Sequence, residues 1–260
     1  MSIKPINELI KTALPALEDL GCQYSTNPPK ITNGINALSL IVPRIFSGEL
    51  NDQEGREIAV FKEKLIDAIS WSTRPIIIKP REICFVGSEI SACNCSTNVN
   101  FSNRRSFSDF VLQAIQNTFT NLKEIFIGDL GSGCCYQDLM VHAVLIKAGY
   151  QVRWTLIDLD LVDPNSSAYK ASEQFKKLTN FFGPCRVELK GQKLADYCNS
   201  LSHLEPINIP NILIVADLEY QGSTVDLKPI HEKLNELKNS ITPRLFIQLD
   251  KRSGISYEEF

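Results

Sequence analysis

The stretch Ile125-Phe126-Ile127-Gly128-Asp129-Leu130-Gly131-Ser132-Gly133 decides the fold. Its apolar start is too short for a helix and rich in residues that favour strands. The run ends in an acid and then in a turn carrying two glycines. Downstream, Asp138 to Ala148 is almost entirely apolar at helical length, and Gly149 supplies a stop. Upstream, Ser106 with Asp109 predicts a capping box for a helix carrying Phe110, Val111, Ala114, Ile115, Phe119 and Leu122 on one face. A buried strand, a glycine turn and a buried helix in that order open a β-α-β unit.

The pattern continues outward. Val152 to Ile157 reads as the next strand, ending at Asp158. A helix over Ser166 to Phe182 stops at Gly183-Pro184, and a strand over Cys185 to Leu189 follows. Then come a helix over Lys193 to Leu201 and a strand over Ile212 to Ala216, which ends at Asp217. Leu227, Ile230, Leu234 and Leu237 mark one more helix, and Leu245 to Leu249 a last strand. This alternation predicts an α/β fold, a Rossmann-like and mostly parallel sheet with helices on both faces, over residues 106–260. Tyr257-Glu258-Glu259-Phe260 reads as a solvated tail.

Residues 1–105 read as a mainly helical cap or extension with two short strands. Ile6, Leu9, Ala13 and Leu17 fall at helical spacing, with Pro15 expected to kink the helix. Asn27-Pro28-Pro29 and Asn33-Gly34 read as turns. Asn51 and Glu54 form a second capping box, opening a helix with Ile58, Phe61, Leu65 and Ile69 on its apolar face. Ile76 to Ile78 and Ile83 to Val86 read as strands that pair with the main sheet or cover its open edge. Ser88 to Asn103 reads as a loop.

The 260 residues are 43% hydrophobic and 22% charged, values that exclude a disordered chain. Lys and Arg total 27 against 30 Asp and Glu, a net charge of −3. Without a basic surplus, a general grip on nucleic acid phosphates is not expected. No apolar run reaches membrane-span length, and no secretory leader is legible, which together predict a cytoplasmic protein. The eight cysteines and three histidines lack the paired spacings of zinc sites, so no metal is expected. His142 reads as a core residue, His203 and His231 as solvent-facing ones. The adjacent Cys134 and Cys135 should open the helix after the glycine turn, a place that lowers a thiol pKa when the group is exposed.

In open parallel sheets, ligands bind beyond the carboxyl ends of the strands, where strand order reverses. Asp129, Asp158 and Asp217 all fall at such ends. Gly131 and Gly133 permit positive φ and close backbone approach.

Residues Ile125 to Gly133 resemble the first motif of the class I S-adenosylmethionine-dependent methyltransferases. Asp158, closing Thr155-Leu156-Ile157, and Asn211 to Asp217 are similar to that family's second acidic position and fourth-strand motif. The resemblance covers about Ser106 to Leu249. It implies a cofactor, S-adenosyl-L-methionine, with Asp129, Gly131, Ser132 and Gly133 around its methionine end. Asp158 would grip the ribose hydroxyls, with Leu159 beside it, and Asp217 would lie near the transferred methyl. Glu219 and Tyr220 become the candidates for a catalytic base. The family's third glycine is Cys135 here, so a side-chain-bearing residue must close the turn. The implied partner is a small-molecule or protein methyl acceptor. Two other readings stay open: a non-catalytic binding or effector module on the same fold, and an NAD-dependent oxidoreductase using Asp158 for the ribose. The acidic C-terminus is also similar to export signals of some bacterial effectors.

Overall fold

The computed structural model describes residues 4–18, 28–70, 101–133, 135–201, 203–216, 219–220, 223–224, 227–237, 245–250 and 254–259. Six strands form one sheet: β1 (Glu124–Leu130), β2 (Gln151–Ile157), β3 (Val187–Lys190), β4 (Ile212–Ala216), β7 (Leu245–Asp250) and β8 (Gly254–Glu259). Their order is β3-β2-β1-β4-β7-β8, with every pair parallel except the last. The chain builds outward from β1 to β3 and then returns to the other side of β1. Strand order thus reverses between β1 and β4. A separate two-stranded hairpin, β5 (Glu219–Tyr220) with β6 (Ser223–Thr224), follows β4.

The helices are α1 (Ile6–Glu18), α2 (Pro28–Ser47), α3 (Asp52–Ser70), α4 (Phe101–Thr118), α5 (Tyr136–Lys147), α6 (Ser167–Phe182), α7 (Leu194–Leu201) and α8 (Lys228–Leu237). Alternation along the strands divides the core in two. Ile125, Ile127, Leu156, Ile212, Ile214, Leu245 and Ile247 face a cluster shared with Leu139 and Leu145 of α5 and Phe175 of α6. Leu130, Ile157, Leu213, Val215 and Phe246 face the opposite way, onto Tyr197, Cys198 and Leu201 of α7 and Ile230 of α8. Near-continuous apolar strands are what a sheet covered on both faces requires. The architecture is the expected Rossmann-like one.

The larger cluster runs on without a break into the N-terminal helices, through Ile6 and Leu9 of α1, Leu38 and Ile41 of α2, and Phe61 and Leu65 of α3. The capping box at α3 is formed in full. Asn51 Oδ1 accepts from the Gln53 and Glu54 amides, and Glu54 Oε2 accepts from the Asn51 amide.

Three expectations need correction. Pro28-Pro29 and Asn33-Gly34 lie inside α2 rather than in turns. The two prolines occupy its first positions, where a missing N–H costs nothing, and burial of Ala37, Leu38 and Ile41 holds the rest. Ser106 and Asp109 are interior to α4, which starts at Phe101. The C-terminal segment is β8, not a free tail. It closes the sheet as the antiparallel partner of β7, with Ile247 opposite Tyr257. Ile76 to Ile78 and Ile83 to Val86 lie outside the described residues. No helix among the described residues is long and apolar enough to cross a membrane.

Candidate ligand site at the strand-order reversal

The turn after β1 is folded against the end of β2. The Gly131 amide donates to the Ile157 carbonyl at 2.7 Å, and the Ser132 amide reaches the same oxygen at 3.3 Å. The Gly133 amide donates to Asp158 Oδ2 at 3.0 Å. Gly131 and Gly133 take φ of +89° and +48°, values that glycine adopts without strain. Cys135 closes the turn at φ 57°, ψ 18° as the N-cap of α5. It is the one residue other than glycine with positive φ among those described.

Asp158 follows β2 directly. Its second oxygen, Oδ1, accepts from the Asp160 amide at 2.9 Å, which caps the short 3-10 turn over Leu159–Val162. Burial raises its pKa above the ordinary carboxylate value, while the two amide donors pull the other way. Each oxygen has one N–H donor and retains a further lone pair for a ligand. Leu159 lies beside it and is exposed, as is Val162.

Asp129, on β1, is 4% exposed. Burial first, then Asp138 in the first turn of α5, then Asp158, hold its pKa well above the ordinary range. Asp138 was not singled out from the sequence. Its only signal there is an acid in the first turn of an apolar helix, which ordinarily reads as a favourable dipole contact. Cys135 is fully buried, and burial together with the carboxyls of Asp138, Asp129 and Asp158 pushes its thiol pKa up. Cys135 thus lacks the exposure that activation by the helix N-terminus requires; Cys134 lies outside the described residues.

The structure therefore brings Asp129, Gly131, Ser132, Gly133 and Asp158 into one turn-and-strand-end assembly, with Leu159 at its border. Glu219 and Tyr220 form the first strand of the hairpin beyond β4. Asp217 lies outside the described residues. His142 is buried in the core, accepting at Nδ1 from Trp154 Nε1 at 3.2 Å, and burial lowers its pKa to about 3.

A doubly wound α/β protein is what this topology defines, and sheets of that kind bind ligands where strand order reverses, here between β1 and β4. No protein-family model matches the chain, and no curated protein matches it in sequence. Solved structures that align with it include three methyltransferases. One, from Listeria monocytogenes and described as a class I S-adenosylmethionine-dependent methyltransferase, aligns over 94% of this chain and 74% of its own, at 11% identity and TM-score 0.43. The rRNA methyltransferase AviRa from Streptomyces viridochromogenes aligns over 56% and 72%, at 16% identity and TM-score 0.35. Coclaurine N-methyltransferase bound to N-methylheliamine and S-adenosylhomocysteine aligns over 93% and 63%, at 14% identity and TM-score 0.36. Likenesses of this size concern the fold alone.

Proposed function

We propose that this chain is an S-adenosylmethionine-dependent methyltransferase acting on a small-molecule or protein acceptor. The observation that carries the reading is the Asp158 carboxylate. It stands at the end of β2, directed by two backbone amides and hydrogen-bonded to the glycine turn at the place where strand order reverses. A ribose diol presents two donors to such a group. Ser132 Oγ, on the turn, is buried and has the Cys135 thiol, a weak hydrogen-bonding group, beside it.

The bound cofactor would supply an activated methyl group on a sulfonium. Methyl transfer then asks the protein mainly for alignment, an effect worth roughly 7–11 kcal/mol in well-oriented systems. The turn from Gly131 to Gly133 would seat the amino-acid end, with Asp129 beneath it and Leu159 against the base. Asp217 and the hairpin bearing Glu219 and Tyr220 follow β4 and would border the acceptor. If the acceptor must lose a proton, Glu219 and Tyr220 are the residues proposed to take it.

Calorimetric titration with S-adenosylhomocysteine and, separately, with NAD tests the reading. The expected result is binding of the first and not the second. Asp158→Ala should weaken that binding at least tenfold, since a charged hydrogen bond is worth about 1.5–3 kcal/mol. Asp160→Ala should bind nearly as the parent does, because Asp160 is exposed and meets Asp158 through its amide. Binding of NAD alone would make the chain an oxidoreductase candidate. Binding of neither would leave a non-catalytic module.

A further inference from the structure

We propose that the cleft at the amino ends of β2 and β3 binds a phosphate monoester, gripped between the guanidinium groups of Arg153 and Arg186. This cleft lies at the opposite end of the strands from the glycine turn. Strand β2 has seven residues, which separates its two ends by roughly 20 Å. The site is independent of the cofactor reading above.

Its two arginines stand side by side. Trp154 of β2 is in register with Val187 of β3, and its amide donates to the Arg186 carbonyl at 2.9 Å. Arg153 and Arg186, one residue earlier on each path, are therefore neighbours. Arg186 Nη2 donates to Glu188 Oε1 at 2.9 Å, and Glu188 is in register with Thr155, two residues beyond Arg153. Side chains two apart share a strand face, so both guanidiniums stand on the same face. Like charges placed this way repel. Burial first and then the charge of Arg186 lower the Arg153 pKa, against the opposing pull of Glu124 and Glu188. An anion between the two arginines replaces that repulsion with attraction.

Arg153 is the fixed member. Its guanidinium carbon lies 3.6 Å from the ring centroid of Phe126, its registered neighbour on β1, and Nη2 donates to the Ile207 carbonyl at 2.7 Å. A guanidinium already stacked and bonded loses little freedom on taking a ligand. Arg186 is the adjustable member. Its ion pair with Glu188 is 65% and 41% exposed, and pairs so exposed contribute little. Among the described residues each guanidinium commits one N–H group to a hydrogen bond, which leaves donors for a forked contact with an oxyanion.

The cleft measures about 420 Å³ and is lined also by Gln151, Asn180, Glu124 and Cys185. That volume is in the range of small-ligand sites and exceeds what a bare ion fills. Cys185 donates its thiol to the Val152 carbonyl at 3.1 Å, and burial pushes its pKa to about 12, so it brings no charge at neutral pH. Glu124, exposed, is the one acid among the lining residues and opposes an anion. A phosphate monoester offers three oxygens, enough to meet both guanidinium forks at once. The side-chain amides of Gln151 and Asn180 are placed for the body of the ligand.

Thermal unfolding at pH 7 and fixed ionic strength tests this, with inorganic phosphate and ribose 5-phosphate as probes against chloride. A ligand held by the folded state raises Tm with its concentration, whereas the general effect of an excluded anion is equal in parent and variants. Ribose 5-phosphate should raise the parent's Tm more than phosphate does, because it fills the cleft. Arg186→Gln should weaken its apparent affinity roughly tenfold or more. Arg153→Gln should do the same but also loses the Phe126 stack; Arg186 is exposed, so its variant decides the matter if the other fails to fold. Glu124→Gln should tighten binding about threefold by removing a like charge. Asp158→Ala, at the far end of β2, should keep the full shift. No shift with either probe, a full shift in Arg186→Gln, or loss of the shift in Asp158→Ala would overturn the site. Equal shifts with the two probes would overturn the monoester in favour of the free ion.

Discussion

Cys135 holds a left-handed backbone with its side chain fully buried, at the point where the turn becomes helix α5. That conformation costs a residue with a side chain roughly 1–2 kcal/mol. Cys135→Gly removes the strain but also a buried thiol and some order in the unfolded chain, so stability should stay within about 1 kcal/mol of the parent. Cys135→Val puts a β-branched residue into the same backbone and should cost on the order of 2 kcal/mol or more. Chemical denaturation of both variants checks this, and a Val variant as stable as the Gly one would contradict the strain. His142 gives a second prediction at this scale. Burial holds its pKa at about 3, far below the free value, so the folded protein resists its protonation. The associated stability is fully present above about pH 6.5 and is lost as pH falls toward 3, at about 1.4 kcal/mol for each tenfold change in proton affinity. His142→Gln keeps an acceptor for the Trp154 indole but cannot charge. Its Tm should fall less steeply than the parent's between pH 6 and 4, and equal slopes would contradict the assignment.

Among the elements, the β1–β4 contact fixes how closely the strands flanking the crevice approach. A Cβ at Gly128 would lie 2.7 Å from Leu213 Cδ2 and 2.9 Å from Pro210 Cγ, and Gly128 pairs with Leu213 in register. Gly128→Ala should therefore cost roughly 1–3 kcal/mol through overpacking. A Cβ at Gly133 would meet only the Gly131 carbonyl oxygen, at 4.0 Å, so Gly133→Ala should cost only about 1 kcal/mol, through its positive φ. Urea denaturation of the two, side by side, tests the ordering. The elements that bear on the site are those the sequence displays most clearly. A buried parallel strand is a short apolar run whose end is marked by a change of chemistry, and Asp129 and Asp158 stand at such changes. Elements set by tertiary packing were not legible in this way. Helix α2 contains Pro28, Pro29, Gly34 and Pro43, which local propensity reads as breaks, yet buried Leu38 and Ile41 hold it together. Strand β8 exposes Ser256, Tyr257, Glu258 and Glu259, so no apolar stripe announces it. The influence of Asp138 on Asp129 was hidden as well, because periodicity does not encode it.

The whole molecule depends on how the sheet ends. Helices α1, α2 and α3 are joined to the α5 and α6 face by one continuous core, by the Lys62 Nζ bond to the Phe182 carbonyl and by the Lys147–Asp67 ion pair. That side of the sheet is thick. At the other end β8 is a single strand, and it ties α4 and α8 to the sheet. Tyr257 packs on Phe110 of α4 with ring centroids 5.4 Å apart, Glu259 accepts from Thr118 Oγ1, and Glu258 meets His231 of α8 at 3.2 Å. These contacts are exposed and individually small. The larger effect of β8 lies in covering β7, whose Leu245, Phe246, Ile247 and Leu249 are buried and would otherwise form an apolar open edge. Such an edge is a template for pairing with another chain. Truncation after Asp250 should therefore lower stability by on the order of 2–3 kcal/mol, from lost ladder bonds and cross-strand contacts partly offset by the freed chain entropy. It should also make the protein associate with rising concentration, measured by light scattering. Glu258→Ala with Glu259→Ala in the full chain separates the two effects. It removes the carboxylate contacts but keeps the strand, and should cost less than about 1 kcal/mol without inducing association. A truncated protein that melts like the parent and stays monodisperse would show β8 to be an appendage and β7 a sufficient edge by itself.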